Sequence, residues 1–336
     1  MLRSKFLGIG GALGATKVTN HDLEKLIDTS DEWVQQRTGI QQRFWATPEQ
    51  STSDIALEAS IKAIANAGIK KEDIDLIILA TCSPDSDIPG CAAFLQAKLD
   101  LPGIPFYDIR QACSGFLYGI NLADMSIRME QAKCVLVVGA EVHSKGLDKT
   151  PNGRTITSIF GDGAGAVIMG ATDVKDPSKD AHLMHVEIHA DGSFAKELWM
   201  PSPGSGNGVD RINASHIEQG LIYPSMNGRT VFSHATTRMP EVLNSVCAKT
   251  KTDLSDIDLF FFHQANLRIN SKVAEDMGIP MEKVHSTIQK FGNTTAATIP
   301  LGMFDAFEAG LLKPGMLIGA SAFGAGFTWG AAIWRT

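Results

Sequence analysis

Three residue types that could act together on a carbonyl compound are present in the sequence: a cysteine, a histidine and an asparagine. Cys113 follows a short apolar run, Ile104 to Ile109, and precedes an apolar helical run, Phe116 to Ile120. At such a strand-to-helix junction, free backbone N–H groups and the positive end of the helix dipole favour a thiolate, the nucleophilic form of cysteine. A cysteine alone is more often a buried packing residue, so its interpretation depends on companion residues.

The two companions lie in the second half of the chain. His263 ends an apolar strand-like run, Asp258 to Phe262, and Asn293 lies in a Gly-Asn turn that leads into a helix. Each has a plain structural explanation by itself, since a strand-end histidine is often only hydrogen-bonded and Gly-Asn is a common turn. Together with Cys113 they provide a nucleophile, an acid/base or hydrogen-bond donor, and an amide donor. Such a set can attack and stabilise a carbonyl, so we predict that these three residues are catalytic.

The composition limits the class of protein. A chain of 336 residues can bury a large core and is expected to form about two domains. The net charge of −7 argues against a general nucleic-acid-binding protein, which would carry a basic face. The five cysteines are odd in number and show no C-x-x-C spacing, so neither a disulfide framework nor a metal site is predicted, and a cytoplasmic location is expected. The apolar stretch within Met1–Leu7 is too short for a signal peptide, and no apolar run is long enough to span a membrane.

Short strand-like runs alternate with amphipathic helices, which is typical of an α/β fold. The first half predicts a helix over Asp54 to Gly68, capped by Ser51, followed by a buried strand over Asp73 to Ala80. The second half predicts the same order, with a helix from Pro240 to Lys249 and a strand over Asp256 to Phe262.

The two halves also resemble each other in sequence. An Asp-Ile-Asp-Leu tetrad begins at Asp73 and another at Asp256, and Val138–Ala140 resembles Ile318–Ala320. Cys113 and Asn293 have the same separation as the second pair and are predicted to occupy comparable positions. The ordered series predicts a duplicated α/β unit with halves 1–175 and 176–336, whose strand ends converge on one crevice. The stretch 201–224, rich in Gly, Ser, Asn and Pro, is predicted to be a long surface loop.

Six segments in order along the chain resemble β-ketoacyl-acyl carrier protein synthase III, a condensing enzyme of the thiolase-like superfamily. The segments are Asp31–Ile40, Ala112–Phe116, Phe160–Gly165, His263–Arg268, Gly292–Thr294 and Phe323–Gly330. The likeness runs essentially from end to end. It implies a thiolase-like fold in which two duplicated α/β halves form a five-layered αβαβα core.

The resemblance also implies a reaction. It is the decarboxylative Claisen condensation of a short acyl-CoA primer, acetyl-CoA foremost, with malonyl-acyl carrier protein to give 3-oxoacyl-acyl carrier protein, CoA and CO2, which initiates type II fatty-acid synthesis. Cys113 would take the acyl group, while His263 and Asn293 would stabilise the enolate formed as CO2 leaves. Backbone N–H groups of Cys113 and Ala325 would form an oxyanion hole, although the family's usual residue at position 325 is glycine. The resemblance implies no cofactor beyond the substrates.

Further residues take roles from the same resemblance. The CoA and substrate path would be lined by Trp33, Arg37, Arg154, Gly228 and Asn266, with Trp33 and Arg154 enclosing the adenine. The acyl pocket would be bordered by Phe160, Phe323 and, from the partner subunit of a homodimer, Ile88. The strand Cys134–Val138 would pair across that dimer. Acyl carrier protein would dock on Arg229, Arg268 and Lys272, although Ser233, Glu275 and Asp276 stand where basic residues would favour an acidic partner.

Alternatives remain open at this point. A synthase III relative of specialised metabolism, acting as an acyltransferase or a condensing enzyme, could keep all three catalytic residues. A papain-like cysteine peptidase has the same chain order of cysteine, histidine and asparagine, but its local cysteine signature is absent and it is not expected to contain an internal repeat.

Overall fold

The computed structural model describes residues 1–336 and contains thirteen strands and eleven α-helices. The strands are β1 (Leu2–Leu13), β2 (Thr16–Thr19), β3 (Gln42–Trp45), β4 (Leu76–Ala80), β5 (Phe106–Ile109), β6 (Cys134–Glu141), β7 (Gly163–Asp173), β8 (His182–Ala190), β9 (Leu198–Trp199), β10 (Ser225–Met226), β11 (Leu259–Phe262), β12 (Leu317–Gly324) and β13 (Thr328–Arg335). The helices are α1 (Asn20–Leu23), α2 (Asp31–Thr38), α3 (Thr52–Ala67), α4 (Ala92–Leu99), α5 (Gly115–Arg128), α6 (Arg154–Thr157), α7 (Ala214–Glu218), α8 (Gly228–Thr250), α9 (Leu267–Met277), α10 (Ile288–Phe291) and α11 (Thr298–Glu308).

The predicted helix of the first half is present as α3, and its ends follow from its capping residues. The backbone N–H and the hydroxyl of Ser51 both donate to the carboxylate of Asp54, at 2.8 and 2.6 Å, which fixes the start of the helix. Gly68 ends it with a left-handed φ of 66°.

Three other predicted boundaries were wrong. β4 begins at Leu76 and β11 at Leu259, because the residues before each strand form a short 3-10 turn. Helix α8 begins at Gly228, and Pro240 lies inside it. A proline is favoured at the first position of a helix, which is why the sequence pattern placed the helix start there.

Two sheets with the same strand order form the core of the molecule. The first has the order β1-β7-β6-β4-β5 and the second has the order β8-β13-β12-β11. In each, the first two pairings are antiparallel and the next is parallel. A parallel bridge from Val284 to Phe260 occupies the place that β5 has in the first sheet. The matching order confirms the predicted duplication.

The helices complete the five-layered αβαβα arrangement. Helix α3 packs on the outer face of the first sheet, α5 and α11 lie between the sheets, and α8 covers the outer face of the second. Three buried apolar clusters fill the spaces between the layers: one lies between each sheet and its outer helices, and the third surrounds the central helices and contacts both sheets. Burial of the third cluster, which contains residues of both halves, is the main force holding the two halves together.

Several corresponding elements around the centre of the two halves have the same separation along the chain, which we call the repeat offset. The first residues of β4 and β11 are separated by the same number of positions as the first residues of β6 and β12 and those of α5 and α11. The repeat offset also relates the 3-10 turns Ala112–Ser114 and Thr295–Ala297 that precede those two helices. Ala112 and Thr295 mark the same point in the two turns, since both have a left-handed φ, 46° and 49°.

The repeat offset corrects two of the predicted pairs. The counterpart of Cys113 is Ala296, so Asn293 lies before the position that corresponds to Cys113. Likewise Val138 corresponds to Ser321, not to Ile318. The short sequence likeness had aligned Gly139 with Gly319, but these two glycines pack against different residues.

The prediction that Cys134–Val138 pairs across a dimer is also wrong. This segment is part of β6, which is hydrogen-bonded to β7 on one side and to β4 on the other. A strand with both edges occupied has no backbone groups left for a second chain. The free edges of the first sheet belong to β1 and β5.

The stretch predicted as one long surface loop contains the short helix α7, capped by the side chain of Asn213. A two-stranded ladder of β9 and β10 closes its base. None of the helices is long and apolar enough to cross a membrane.

Candidate active site

Cys113 lies in the 3-10 turn Ala112–Ser114, directly before α5, and only 8% of the residue is exposed. The turn is pressed against the end of β12. A Cβ added at Gly324 would lie 2.6 Å from the Cβ and 3.1 Å from the Sγ of Cys113. Such contacts are too short to exist, so the lack of a side chain at Gly324 makes room for the thiol.

The expectation of a thiolate in the resting site is not met. Burial, and then the nearby carboxylate of Glu141, raises the pKa of the Cys113 thiol to about 12. The backbone N–H groups of Ala325 and Cys113 face the sulfur and lower that pKa in part. The pKa-raising effect of removal from water therefore outweighs the pKa-lowering effect of these two amides.

His263 directly follows β11 and is 3% exposed. Its backbone N–H donates to the carbonyl of Ser321 at 2.9 Å, which continues the parallel pairing of β11 with β12 and fixes the backbone of His263. Its Nδ1 lies 2.7 Å from the hydroxyl of Thr298, whereas its buried Nε2 has no partner in the protein. Burial lowers the pKa of the imidazole to about 3, so the ring is neutral.

The hydroxyl of Thr298 decides which nitrogen of His263 carries the proton. It has one proton and two acceptors within reach, Nδ1 of His263 at 2.7 Å and the carbonyl of Thr295 at 3.0 Å. When the hydroxyl donates to Nδ1, the ring proton is on Nε2, which is then a donor toward the site. When it donates to Thr295, Nδ1 carries the proton and Nε2 is an acceptor.

Asn293 joins the second half to the first. Its backbone N–H donates to the carbonyl of Ile159 at 2.9 Å, and its carbonyl accepts from the N–H of Gly161 at 3.0 Å. Its side-chain Oδ1 accepts from the N–H of Thr295 at 2.8 Å. Because the oxygen is engaged, the amide Nδ2 is turned the other way and is free to donate to a substrate.

These contacts bring the three predicted residues to one place. His263 and Asn293 are joined through Thr298 and Thr295. The turn that holds Cys113 packs directly against the turn Thr295–Ala297 and against the end of β12. Cys113 thus comes from one half of the chain, and His263 and Asn293 come from the other.

Two site residues at the end of β6 were missed by the sequence analysis. Glu141 is fully buried and accepts from the hydroxyl of Ser83 at 2.6 Å and the N–H of Cys82 at 3.1 Å, and burial raises its pKa to about 7. His143 lies 2.6 Å from the hydroxyl of Thr295 through its Nε2. Polar residues directly after the apolar run of β6 were the signal that could have indicated them.

The predicted adenine-binding pair is in contact. The guanidinium carbon of Arg154 lies 4.2 Å from the ring centre of Trp33. A flat group enclosed on both faces needs about 3.5 Å on each side, so Arg154 must move for an adenine to enter. The Arg37 guanidinium lies 5.7 Å from the same ring.

A cavity of 410 Å³ collects most of the other predicted binding residues, and its lining includes Trp33, Arg37, Gly228, Arg229, Asn266 and Arg268. The side chain of Asn266 is already used, because it accepts from the N–H of Arg268 and donates to the carbonyl of Arg37, both at 2.9 Å. Its role in this structure is to join α9 to α2.

The predicted acyl-pocket residues lie in different surroundings. Phe160 stands next to the site, since it is bridged to Asn293 and its ring centre is 4.6 Å from that of His143. Phe323 is buried beside Gly324 and packs against Phe327, with ring centres 4.7 Å apart. Ile88 is 84% exposed and therefore lies outside the pocket of its own chain.

Among the predicted docking residues, Lys272 differs from the two arginines. Its ammonium pairs with Glu275 and Asp276 on the same helix, so its charge is largely compensated. Arg229 and Arg268 form no ion pair and remain available to an anionic partner. No group of three or more His, Cys, Asp or Glu side chains is placed to hold a metal ion.

Comparison with known proteins gives matches over the whole chain. Family models described as 3-oxoacyl-[acyl-carrier-protein (ACP)] synthase III and its C-terminal part match residues 107–192 and 247–336. The β-ketoacyl-[acyl-carrier-protein] synthase III of Thioalkalivibrio sulfidiphilus is 40% identical over 335 residues and covers 100% of both chains. That of Xanthomonas campestris is 40% identical over 335 residues, covering 99% of this chain and 98% of the relative. The crystal structure of 3-oxoacyl-[acyl-carrier-protein] synthase III from Aquifex aeolicus is 38% identical, has a TM-score of 0.88, and covers 99% of this chain and 100% of that one.

Proposed function

Because the chain belongs to the 3-oxoacyl-[acyl-carrier-protein] synthase III family, we propose that Cys113, His263 and Asn293 divide its reaction into acyl transfer and decarboxylation. The protein is an acyltransferase, a condensing enzyme that initiates fatty-acid synthesis. The observation that supports this division is the environment of His263, a buried neutral imidazole whose Nε2 has no partner in the protein.

In the first step the sulfur of Cys113 attacks the thioester carbonyl of the acyl-CoA primer. The bond between the carbonyl carbon and the CoA sulfur breaks, and CoA leaves as a thiol with the proton that Cys113 loses. The oxygen anion that forms accepts hydrogen bonds from the N–H groups of Cys113 and Ala325. A backbone donor does not depend on its side chain, so alanine at position 325 serves this purpose.

In the second step the malonyl thioester loses CO2, and the electron pair of the broken C–C bond forms an enolate. The enolate oxygen accepts from Nε2–H of His263 and Nδ2–H of Asn293. The enolate carbon then attacks the acyl group on Cys113 and releases the sulfur. A histidine with a pKa of about 3 is neutral and therefore a weak acid, so it hydrogen-bonds to the enolate oxygen without protonating the enolate to the unreactive acetyl thioester.

Substrates and assembly follow from the same family membership. We propose acetyl-CoA as the primer, malonyl-acyl carrier protein as the acceptor and no cofactor, with the CoA path along Trp33, Arg37, Arg154 and Gly228 and carrier docking on Arg229 and Arg268. We further propose a homodimer joined through the free edge of β5, and a boundary between the halves at 175/176, in the connection between β7 and β8. The five free cysteines are consistent with a reducing cytoplasm.

The alternatives receive less support. A papain-like peptidase is incompatible with the duplicated αβαβα fold and the family matches. A role in specialised metabolism would keep the same three residues, and no contact in the structure favours it over fatty-acid synthesis.

The test follows the two steps separately. Cys113→Ala is expected to abolish covalent acylation by acetyl-CoA, measured by intact-protein mass spectrometry. His263→Ala and Asn293→Ala are expected to become acylated but to lose release of labelled CO2 from malonyl-acyl carrier protein. Undiminished labelling of the Cys113 variant, or CO2 release at the wild-type rate by either of the others, would contradict the assignment.

A further inference from the structure

We propose that Thr295 and His143 are positioning residues that hold the donors His263 and Asn293 in place for decarboxylation. The inference rests on the proposed function and assigns to it two residues that do not touch the reacting atoms. It is based on the hydrogen bonds of Thr295, which extend in three directions.

Each polar group of Thr295 has a separate partner. Its backbone N–H donates to Oδ1 of Asn293 at 2.8 Å. Its carbonyl lies 3.0 Å from the hydroxyl of Thr298, and that hydroxyl, when it donates to Nδ1 of His263 at 2.7 Å, leaves Nε2 of the ring as a donor. Its own hydroxyl is 2.6 Å from Nε2 of His143. One residue therefore connects both donors of the site to a third side chain.

The backbone conformation of Thr295 needs support. Its φ of 49° is left-handed, a region that β-branched residues rarely adopt. This conformation turns the N–H toward Asn293 and the carbonyl toward Thr298. The contact with His143 is the only side-chain hydrogen bond of Thr295, so it adds to the backbone contacts with Asn293 and Thr298 that hold this arrangement.

His143 is itself held firmly. The residues on both sides of it are anchored, since the N–H of Val142 donates to the hydroxyl of Ser83 at 2.8 Å and that of Ser144 donates to Asp162 at 2.9 Å. Its ring lies 4.6 Å from that of Phe160, centre to centre. A side chain fixed in this way can transmit the position of the first sheet to Thr295.

Positioning should matter for one half-reaction only. A displacement of about 1 Å in a reacting geometry can lower a rate about 100-fold. The enolate donors are His263 and Asn293, whereas acylation uses Cys113 and the backbone N–H groups of Cys113 and Ala325. Loss of the His143–Thr295 contact is thus expected to slow decarboxylation and to leave acylation nearly intact.

The experiment uses matched pairs of variants in the full-length protein. Thr295→Val and His143→Leu remove the hydrogen bond at similar volume, while Thr295→Ser and His143→Gln keep a group able to form it. Acylation is measured by mass spectrometry with acetyl-CoA, and decarboxylation by CO2 release from malonyl-acyl carrier protein. We expect the first pair to lose CO2 release about 10- to 100-fold with acylation within about threefold of wild type, and the second pair to recover most of it.

Two results would overturn the inference: CO2 release close to wild type in Thr295→Val and His143→Leu, or an equal fall of acylation and decarboxylation in both. The double variant Thr295→Val/His143→Leu is expected to be no slower than the slower single variant, because both changes remove one contact; multiplied effects would mean that the two residues act independently. If His263→Ala and Asn293→Ala release CO2 normally, the proposed function fails instead, so the two failures are distinguishable.

Discussion

At the scale of single residues, the chemistry depends on which atoms carry protons, and the sequence alone does not show this. The hydroxyl of Thr298 lies between two acceptors, and only when it donates to Nδ1 does His263 present a donor to the substrate. The proposed decarboxylation therefore needs a hydroxyl at position 298.

Thr298→Val is expected to lower CO2 release about 10- to 100-fold, because Nε2 is no longer fixed as a donor, while acylation of Cys113 continues. Thr298→Ser keeps the hydroxyl and serves as the control. Measurement of both half-reactions decides the matter, and equal activity of the valine and serine variants would count against the role of the hydroxyl.

Gly324 provides a second test at this scale. A methyl group there would lie 2.6 Å from the Cβ of Cys113, so Gly324→Ala must displace the nucleophile or β12. We expect acylation to fall at least about 10-fold and the melting temperature to decrease. Gly192→Ala is the matched control, since a Cβ there meets no atom within 4 Å; a Gly324→Ala enzyme as active as this control would show that the site relaxes easily.

Residue types and local motifs were sufficient to predict that Cys113, His263 and Asn293 lie close together, because each lies where an apolar strand or turn ends. The raised pKa of Cys113 could not be predicted in the same way, since it depends on burial and on Glu141, which is distant in sequence. His143 and Thr295 were missed for the same reason: their partnership exists only after both halves have folded.

At the scale of elements, position within a sheet decides which strand can meet a second chain. The edge of β5 is free, whereas β6 is paired on both sides. The family resemblance predicted a strand over Cys134–Val138 but did not indicate its neighbours within the sheet, because strand order depends on contacts between distant segments.

If two chains join through β5, a charge on that strand should weaken the dimer. Tyr107 is 53% exposed on β5, and Met125 is equally exposed on α5. Tyr107→Lys is expected to raise the dimer dissociation constant at least about 10-fold, because lysine on an edge strand opposes pairing, whereas Met125→Lys should not. Sedimentation analysis over a range of concentrations would measure both, and an unchanged Tyr107→Lys dimer would place the interface elsewhere.

At the scale of the whole molecule, buried neutral histidines make stability depend on pH. Burial lowers the pKa of His143 to about 4 and that of His263 to about 3, both below the value of an unfolded histidine. As pH falls below about 6.5, the unfolded chain binds protons that the folded chain excludes, so stability present above that pH is progressively lost.

His143→Leu removes one of these groups. Between about pH 6 and about pH 5, the wild-type protein is expected to lose about 1 kcal/mol more of unfolding free energy than this variant. Urea unfolding at both pH values gives the comparison. Parallel losses in the two proteins would mean that His143 is protonated in the folded state.

The duplication gives the chain two corresponding positions at which an active site could form. At the repeat offset, Glu141 is the counterpart of Gly324, since each is the last residue of its strand, β6 or β12. Gly324 leaves space beside Cys113, whereas the carboxylate of Glu141 fills the related corner and faces the amide of Ala296, the counterpart of Cys113. The duplicated chain thus contains two similar turns but only one cysteine site. The second turn, Thr295–Ala297, instead contacts the residues that hold His263 and Asn293 in place.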